Sequence, residues 1–89
     1  MVYIVAYDLH EKTEFDYELI HLAIKAYPNH LQIQKSVWLI ETPDNQKAVL
    51  DFIKKAIDDD DNLFVGALRG AAWRGISTDV EGFLSRFWG

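Results

Sequence analysis

The twelve residues from Leu31 to Thr42, LQIQKSVWLIET, limit the possible folds more than any other part of this chain. Apolar side chains alternate along the run, as expected for extended chain with one side buried. A typical strand has about five or six residues, so this run is either one long strand or two strands divided by a bend or bulge near Lys35 and Ser36. If it divides, the chain has four strands.

The flanking segments predict two more strands and two helices. Val2 to Asp8 (VYIVAYD) and Asn62 to Arg69 have the composition of buried or half-buried strands. A first helix is expected from Tyr17 to Tyr27. A second helix is expected to begin with Thr42 as its cap and Pro43 at its first helical position, and to end at the acidic run from Asp58 to Asp61. The order predicts an α+β ferredoxin-like sandwich, a βαββαβ-type antiparallel sheet with two helices on one face.

Both helices carry apolar residues at helical spacing. In the first helix these residues form one wide stripe: Phe15, Leu19, Leu22, Ala23 and Ala26, widened by Ile20 and Ile24. In the second helix the stripe is expected to face the core: Val49, Phe52, Ile53, Ala56 and Ile57.

Residues 77–88 predict a short C-terminal amphipathic helix. Thr78 and Glu81 fit a capping box at its start. A helix this short is not stable alone in water, so it is expected to dock on its own sheet or on a partner. The candidate protein interface on this helix consists of Phe83, Phe87 and Trp88.

The composition predicts one domain over residues 1–89, because no linker-like tract interrupts the chain. Hydrophobic residues make up 49% of a chain whose size allows only a modest core. We therefore expect part of the apolar surface to face a partner, either a second copy in a homodimer or another protein. The short apolar runs predict no membrane span, and Met1 leads directly into a strand without a signal peptide, so we expect a cytoplasmic protein.

The charge and cysteine content exclude several kinds of site. The net charge of −5 argues against a generic nucleic-acid binder. All three arginines lie in the last third of the chain, and Arg69, Trp73 and Arg74 there form a candidate patch for phosphate contact and base stacking. The alternative is that Trp73 only packs while both arginines are solvated. Because the chain has no Cys, disulfides and thiolate metal sites are excluded.

Asp8 is the main candidate for catalysis and for metal binding. It ends the first strand, where two copies in a dimer could face each other and hold a divalent cation such as Mg²⁺ or Mn²⁺. Such an ion could position a phosphodiester and lower the pKa of an attacking water. The alternative is that Asp8 only accepts hydrogen bonds from the backbone of the following loop.

The histidines and the acidic run give weaker signals. His10, His21 and His30 lack a metal-ligand spacing; His10 is either a general base beside Asp8 or a loop residue, and the other two are interpreted as surface residues. The run from Asp58 to Asp61 suggests calcium, but it lacks the alternating ligands and glycine of an EF-hand, so a solvated turn is expected.

Two short motifs resemble a known family. Tyr3 to Leu9, YIVAYDL, is similar to the opening strand of the small CRISPR-associated protein that bridges the integrase dimers in spacer acquisition. Gln34 to Trp38, QKSVW, resembles that family's Gln-x-Ser-Val-Phe segment at a suitable distance after a single helix. The virulence-associated protein D family, which are small ribonucleases, is similar to the same fold.

The resemblance implies a ferredoxin-like fold, a homodimer whose sheets face each other, and Asp8 as the metal ligand of a metal-dependent endonuclease. The basic residues that the family usually carries after the first strand are reduced here to Lys12 and Lys25. The sequence therefore favours a dimeric, non-catalytic interaction or adaptor module. The alternative is a metal-dependent endonuclease that hydrolyses RNA or DNA through Asp8.

Overall fold

The computed structural model of the chain describes residues 1–76 and 79–88. Its four strands form one antiparallel sheet in the order β2-β3-β1-β4, which is the ferredoxin-like arrangement expected from the sequence. The strands are β1 (Val2–Asp8), β2 (Asn29–Gln34), β3 (Val37–Glu41) and β4 (Asn62–Ala67). The helices are α1 (Glu14–Lys25), α2 (Gln46–Ile53), a short 3-10 helix (Lys54–Ala56) and α3 (Asp79–Phe87).

The long extended run divides into two strands, β2 and β3. Lys35 and Ser36 form the turn between them, and the pairing register shifts between Gln32 and Gln34. The turn also contacts β1, because the backbone N–H of Tyr7 donates to the carbonyl of Ser36 at 3.1 Å. The predicted bend near Lys35 and Ser36 is thus confirmed.

The helix starts differ from those predicted. α1 begins three residues earlier, at Glu14, where the Asp16 carboxylate accepts the backbone N–H of Thr13 at 3.0 Å. The predicted start of α2 at Thr42 and Pro43 is wrong. Thr42 Oγ1 instead accepts the backbone N–H of Asp44, and Asn45 caps the helix by accepting the N–H of Ala48 at 2.9 Å.

The sheet is covered on both faces, which explains why consecutive residues of β1 are buried. The face toward α1 and α2 carries the larger core, made of buried residues from the sheet and from both helices: Tyr3, Val5, Tyr7, Leu9, Ile20, Ile24, Tyr27, Trp38, Ile40, Val49 and Ile53. The opposite face carries a smaller core in which α3 packs on β1 and β3: Val2, Leu39, Val80 and Leu84.

The C-terminal helix therefore docks on its own sheet, which is one of the two outcomes expected for it. The predicted capping box of Thr78 and Glu81 lies partly outside the described residues, since these exclude Ser77 and Thr78. Among residues 1–76 and 79–88, no helix has the length and hydropathy that a membrane span requires.

Candidate interaction surface and polar sites

Asp8 lies at the end of β1, paired in register with Asn62 of β4, and its side chain is exposed. Among the described residues, the one group of His, Cys, Asp or Glu side chains close enough to share a metal ion does not include Asp8. A single carboxylate is too few ligands for Mg²⁺ or Mn²⁺. The predicted metal site at Asp8 would thus need ligands from a second chain.

The acidic run from Asp58 to Asp61 forms ion pairs with the Lys12 ammonium. Lys12 Nζ lies 3.0 Å from a carboxylate oxygen of Asp58, 3.3 Å from one of Asp60 and 3.7 Å from one of Asp61. These three aspartates are the group that could hold a metal ion, but the ammonium occupies the position that a cation would take. The hydrogen bond that Lys12 donates to Asp58 raises the pKa of Lys12, although burial opposes it, so Lys12 keeps its charge.

The Asp61 carboxylate also holds the loop between β1 and α1 in place through hydrogen bonds. It accepts the backbone N–H of His10 and that of Asp58, each at 2.9 Å. Burial acts to raise the pKa of Asp61, but these two hydrogen bonds and Lys12 lower it overall. The acidic run therefore ties two loops together, and it forms the turn expected from the sequence.

The predicted nucleic-acid patch lies on the segment between β4 and α3. Arg69, Trp73 and Arg74 are exposed, and Trp73 retains 42% of its accessible surface. Trp73 and Arg74 border a mainly apolar groove of about 500 Å³ between this segment and the sheet face that carries α3. Its walls include Ala6 and Val37 but not Arg69, so the three residues do not line one pocket. Their role in nucleic-acid contact stays a prediction.

The predicted protein interface on α3 faces inward. Phe83, Phe87 and Trp88 are partly buried against the smaller core, and Trp88 Nε1 donates to the carbonyl of Leu68 at 2.9 Å. The rings of Phe83 and Phe87 also contact each other, with centroids 4.8 Å apart. These side chains attach α3 to the sheet, and a contact with another molecule through them stays a prediction.

A chain of polar groups that the sequence did not predict connects β3, β1 and α1. Trp38 Nε1 donates to the Tyr7 hydroxyl oxygen at 3.2 Å, and this oxygen lies 2.7 Å from His21 Nε2. Because the oxygen accepts from Trp38, its own proton is best placed on the line to Nε2, which makes His21 a neutral acceptor. Burial and then Lys25 lower the pKa of His21, in agreement with the neutral ring.

His21 borders an open groove of about 480 Å³ at the edge of β2. The groove is lined by two amines, two carboxylates, one amide and two rings: Lys12, Lys35, Glu14, Glu18, Gln32, Tyr17 and His21. The formal charges of its walls cancel, so they favour neither an anionic nor a cationic ligand. The hydrogen bonds that link His21 to Tyr7 and Trp38 explain its place in the structure, because they join α1 to the sheet.

The outer face of α1 carries a row of exposed apolar side chains. Phe15 and Leu22 are each 66% exposed and Leu19 is 39% exposed, whereas Ile20 and Ile24 are fully buried. The wide stripe expected from the sequence thus consists of two stripes on opposite faces of the helix. Only the one with Ile20 and Ile24 enters the core.

The exposed apolar surface continues onto α2. Phe52, expected to face the core, is 41% exposed, and its ring packs edge-on against Tyr27 with centroids 5.6 Å apart. We call the outer stripe of α1 together with this ring the helix-layer surface: Phe15, Leu19, Leu22, Ala26 and Phe52. The spacing of these residues was visible in the sequence, but which face of α1 enters the core was not.

Comparison with known proteins adds no family to this geometry. No protein-family model matches the chain, and no curated protein matches it either.

Proposed function

We propose that this chain is a non-catalytic interaction module that pairs with a second copy of itself through the helix-layer surface. The observation that carries the proposal is the exposure of Phe15 and Leu22, 66% each, in line with Leu19 along α1. Exposed apolar side chains that line up on one face of a helix are typical of protein contact sites, whereas scattered ones are common on any surface.

The spacing of the stripe supports a helix as the binding partner. Phe15, Leu19, Leu22 and Ala26 follow one another at intervals of four, three and four residues. This is the spacing of the apolar d and a positions in a heptad, whose side chains pack between those of a second helix. Since α1 is already held by the core, pairing does not have to order it, which lowers the entropic cost of association.

We expect the pairing to be weak. α1 has 12 residues, so the contact is smaller than a standard interface of about 1,600 Å². A dissociation constant of roughly 1 to 100 µM is the expected range for a small contact of this kind. Such a module would join two copies, or the molecules attached to them, in a way that depends on their concentration.

The homodimer implied by the CRISPR-associated resemblance uses a different surface. Its sheets would face each other, but here α3 packs on that face against Val2 and Leu39. A dimer through the sheets would have to displace α3 or include it. The helix-layer surface needs no such change, which is why we favour it as the interface.

Sedimentation velocity from about 1 µM to about 500 µM tests the proposal. We expect the dimer fraction of the unaltered protein to rise with concentration and Leu22→Asp to remain monomeric, because a charge replaces an apolar contact. Ser85→Asp, which adds the same charge at an exposed site on α3, serves as the control and should dimerise normally. A monomer at all concentrations, or a Leu22→Asp dimer of unchanged strength, would contradict the proposal.

A cleavage assay tests the endonuclease alternative. It measures hydrolysis of single- and double-stranded RNA and DNA in the presence of Mg²⁺ or Mn²⁺. The proposal expects no hydrolysis in either the unaltered protein or Asp8→Asn. Metal-dependent cleavage that Asp8→Asn abolishes, while its circular dichroism stays unchanged, would make this chain a nuclease.

A further inference from the structure

We infer that the two α1 helices pair antiparallel, with Phe15 of one chain against the partner's Ala26 and Leu19 against the partner's Leu22. The inference rests on the proposed function and adds the orientation and register of the contact. It follows from the size and charge of the residues along one helix face.

The stripe reads the same in both directions, because the intervals of four, three and four residues are symmetric. A two-fold axis perpendicular to α1, between Leu19 and Leu22, therefore brings every stripe residue opposite another stripe residue. In this register the large ring of Phe15 lies against the small side chain of the partner's Ala26. Large residues opposite small ones fill an interface evenly.

A parallel pair would place the side chains less well. Each Phe15 would meet the partner's Phe15 at one end, and each Ala26 would meet the partner's Ala26 at the other. The first contact is crowded and the second leaves a gap, so both ends lose packing. The antiparallel register avoids both faults with the same four residues.

The charges beside the stripe favour the same orientation. The first turn of α1 holds Glu14 and Asp16, with Glu18 one turn later, whereas its last turn holds Lys25. Glu18 and Lys25 are both exposed on the flank of α1 that faces β2 and β3, since Glu18 lines the groove with His21 and Lys25 lies over the Trp38 ring. Antiparallel pairing brings Glu18 beside the partner's Lys25, while parallel pairing brings the acidic turns together.

Engineered disulfides test the orientation, and the absence of cysteine from the chain makes them unambiguous. Phe15→Cys and Ala26→Cys are prepared separately, mixed at equal concentration and oxidised in a glutathione buffer. Positions 15 and 26 are about 16 Å apart along the helix, so a disulfide can join only positions that lie opposite each other. We expect disulfides between the two variants and few within either one.

The outcomes separate the inference from the proposal on which it rests. Disulfides within each variant, 15 to 15 and 26 to 26, would overturn the antiparallel register but leave self-association intact. A mixture that gives no more disulfide than Ser85→Cys, together with monomeric sedimentation of the unaltered protein, would overturn both.

Charge reversal provides a second test that needs no oxidation. Glu18→Lys and Lys25→Glu should each weaken dimerisation about three- to tenfold, because each creates two like-charge contacts across the two-fold axis. The double variant should recover the original strength. A double variant that is as weak as either single one would contradict the register, provided that all variants keep the thermal stability of the unaltered protein.

Discussion

Tyr7 connects the sheet to α1 through a hydroxyl that lies between Trp38 Nε1 and His21 Nε2. Burial raises the pKa of Tyr7, although the hydrogen bond from Trp38 opposes this, so the hydroxyl keeps its proton and can donate it to His21. The sequence predicted that Tyr7 belongs to a strand and that His21 belongs to a helix. It could not predict their contact, because helix and strand patterns do not show which residues of different elements meet.

We expect His21 to contribute to the pH dependence of stability. Its pKa is lowered in the folded protein, so the unfolded chain binds the proton more readily and stability falls as the pH drops below about 6.5. His21→Gln keeps an acceptor for the Tyr7 hydroxyl but does not titrate. Urea unfolding at pH 7 and pH 5 should therefore show a smaller loss of stability for the variant, and an equal loss in both proteins would contradict the neutral, partly buried His21.

A single carboxylate such as that of Asp8 does not define a metal site. The sequence correctly placed Asp8 at the end of a strand, and the structure shows that its side chain is exposed. A metal site needs several ligands from different parts of the chain, and these depend on tertiary contacts. The described residues instead bring three other aspartates around Lys12, a contact between the loop after β1 and the loop before β4 that local patterns do not reveal.

At the scale of single elements, the sequence predicted their types better than their boundaries. Thr and Asn are both favourable at the N-cap of a helix. Only the Asn45 side chain accepts a hydrogen bond from a first-turn N–H of α2, that of Ala48. Thr42 is held elsewhere, since its hydroxyl accepts the N–H of Asp44. Two candidate caps three residues apart cannot be separated by propensity, because the surrounding fold decides between them.

The docking of α3 can be tested by removing a side chain from its buried face. Leu84 is 3% exposed and belongs to the smaller core. Leu84→Ala should lower the free energy of unfolding by about 2 to 4 kcal/mol, the usual cost of removing a large aliphatic side chain from a core. Ser85→Ala, at the adjacent exposed position, should change it by less than about 0.5 kcal/mol in the same urea titration.

Equal stability of Leu84→Ala and the unaltered protein would mean that α3 does not pack on this sheet in solution. The same helix would then be available for a partner, which was the other expectation for it. The prediction therefore also tests whether the sheet face is blocked for a dimer of facing sheets.

At the scale of the whole molecule, the order of elements was sufficient to predict the ferredoxin-like sheet. Each of the two β-α-β units places its strands with one strand between them, and the short turn at Lys35 and Ser36 makes β2 and β3 neighbours. The sequence was less informative about the surface. α1 has apolar residues on two faces, and only packing shows that Ile20 and Ile24 enter the core while Phe15 and Leu22 stay outside.

These surfaces define an orientation for the proposed dimer. With α1 against the partner's α1, both copies turn their α3-covered faces outward, and the grooves beside Trp73 and Arg74 lie on opposite sides of the assembly. Pairing through α1 does not depend on the two Asp8 side chains meeting, so it does not by itself supply the second-chain ligands that a metal site at Asp8 would need.

The most direct test of self-association through α1 is a dilution series of ¹H–¹⁵N correlation spectra from about 500 µM to about 10 µM. The account predicts that concentration changes the amide signals of Phe15, Leu19, Leu22 and Ala26, while those of β1 and α3 stay constant. Spectra that do not change with concentration, or changes centred on Val37 and Trp73 at the sheet face, would contradict it.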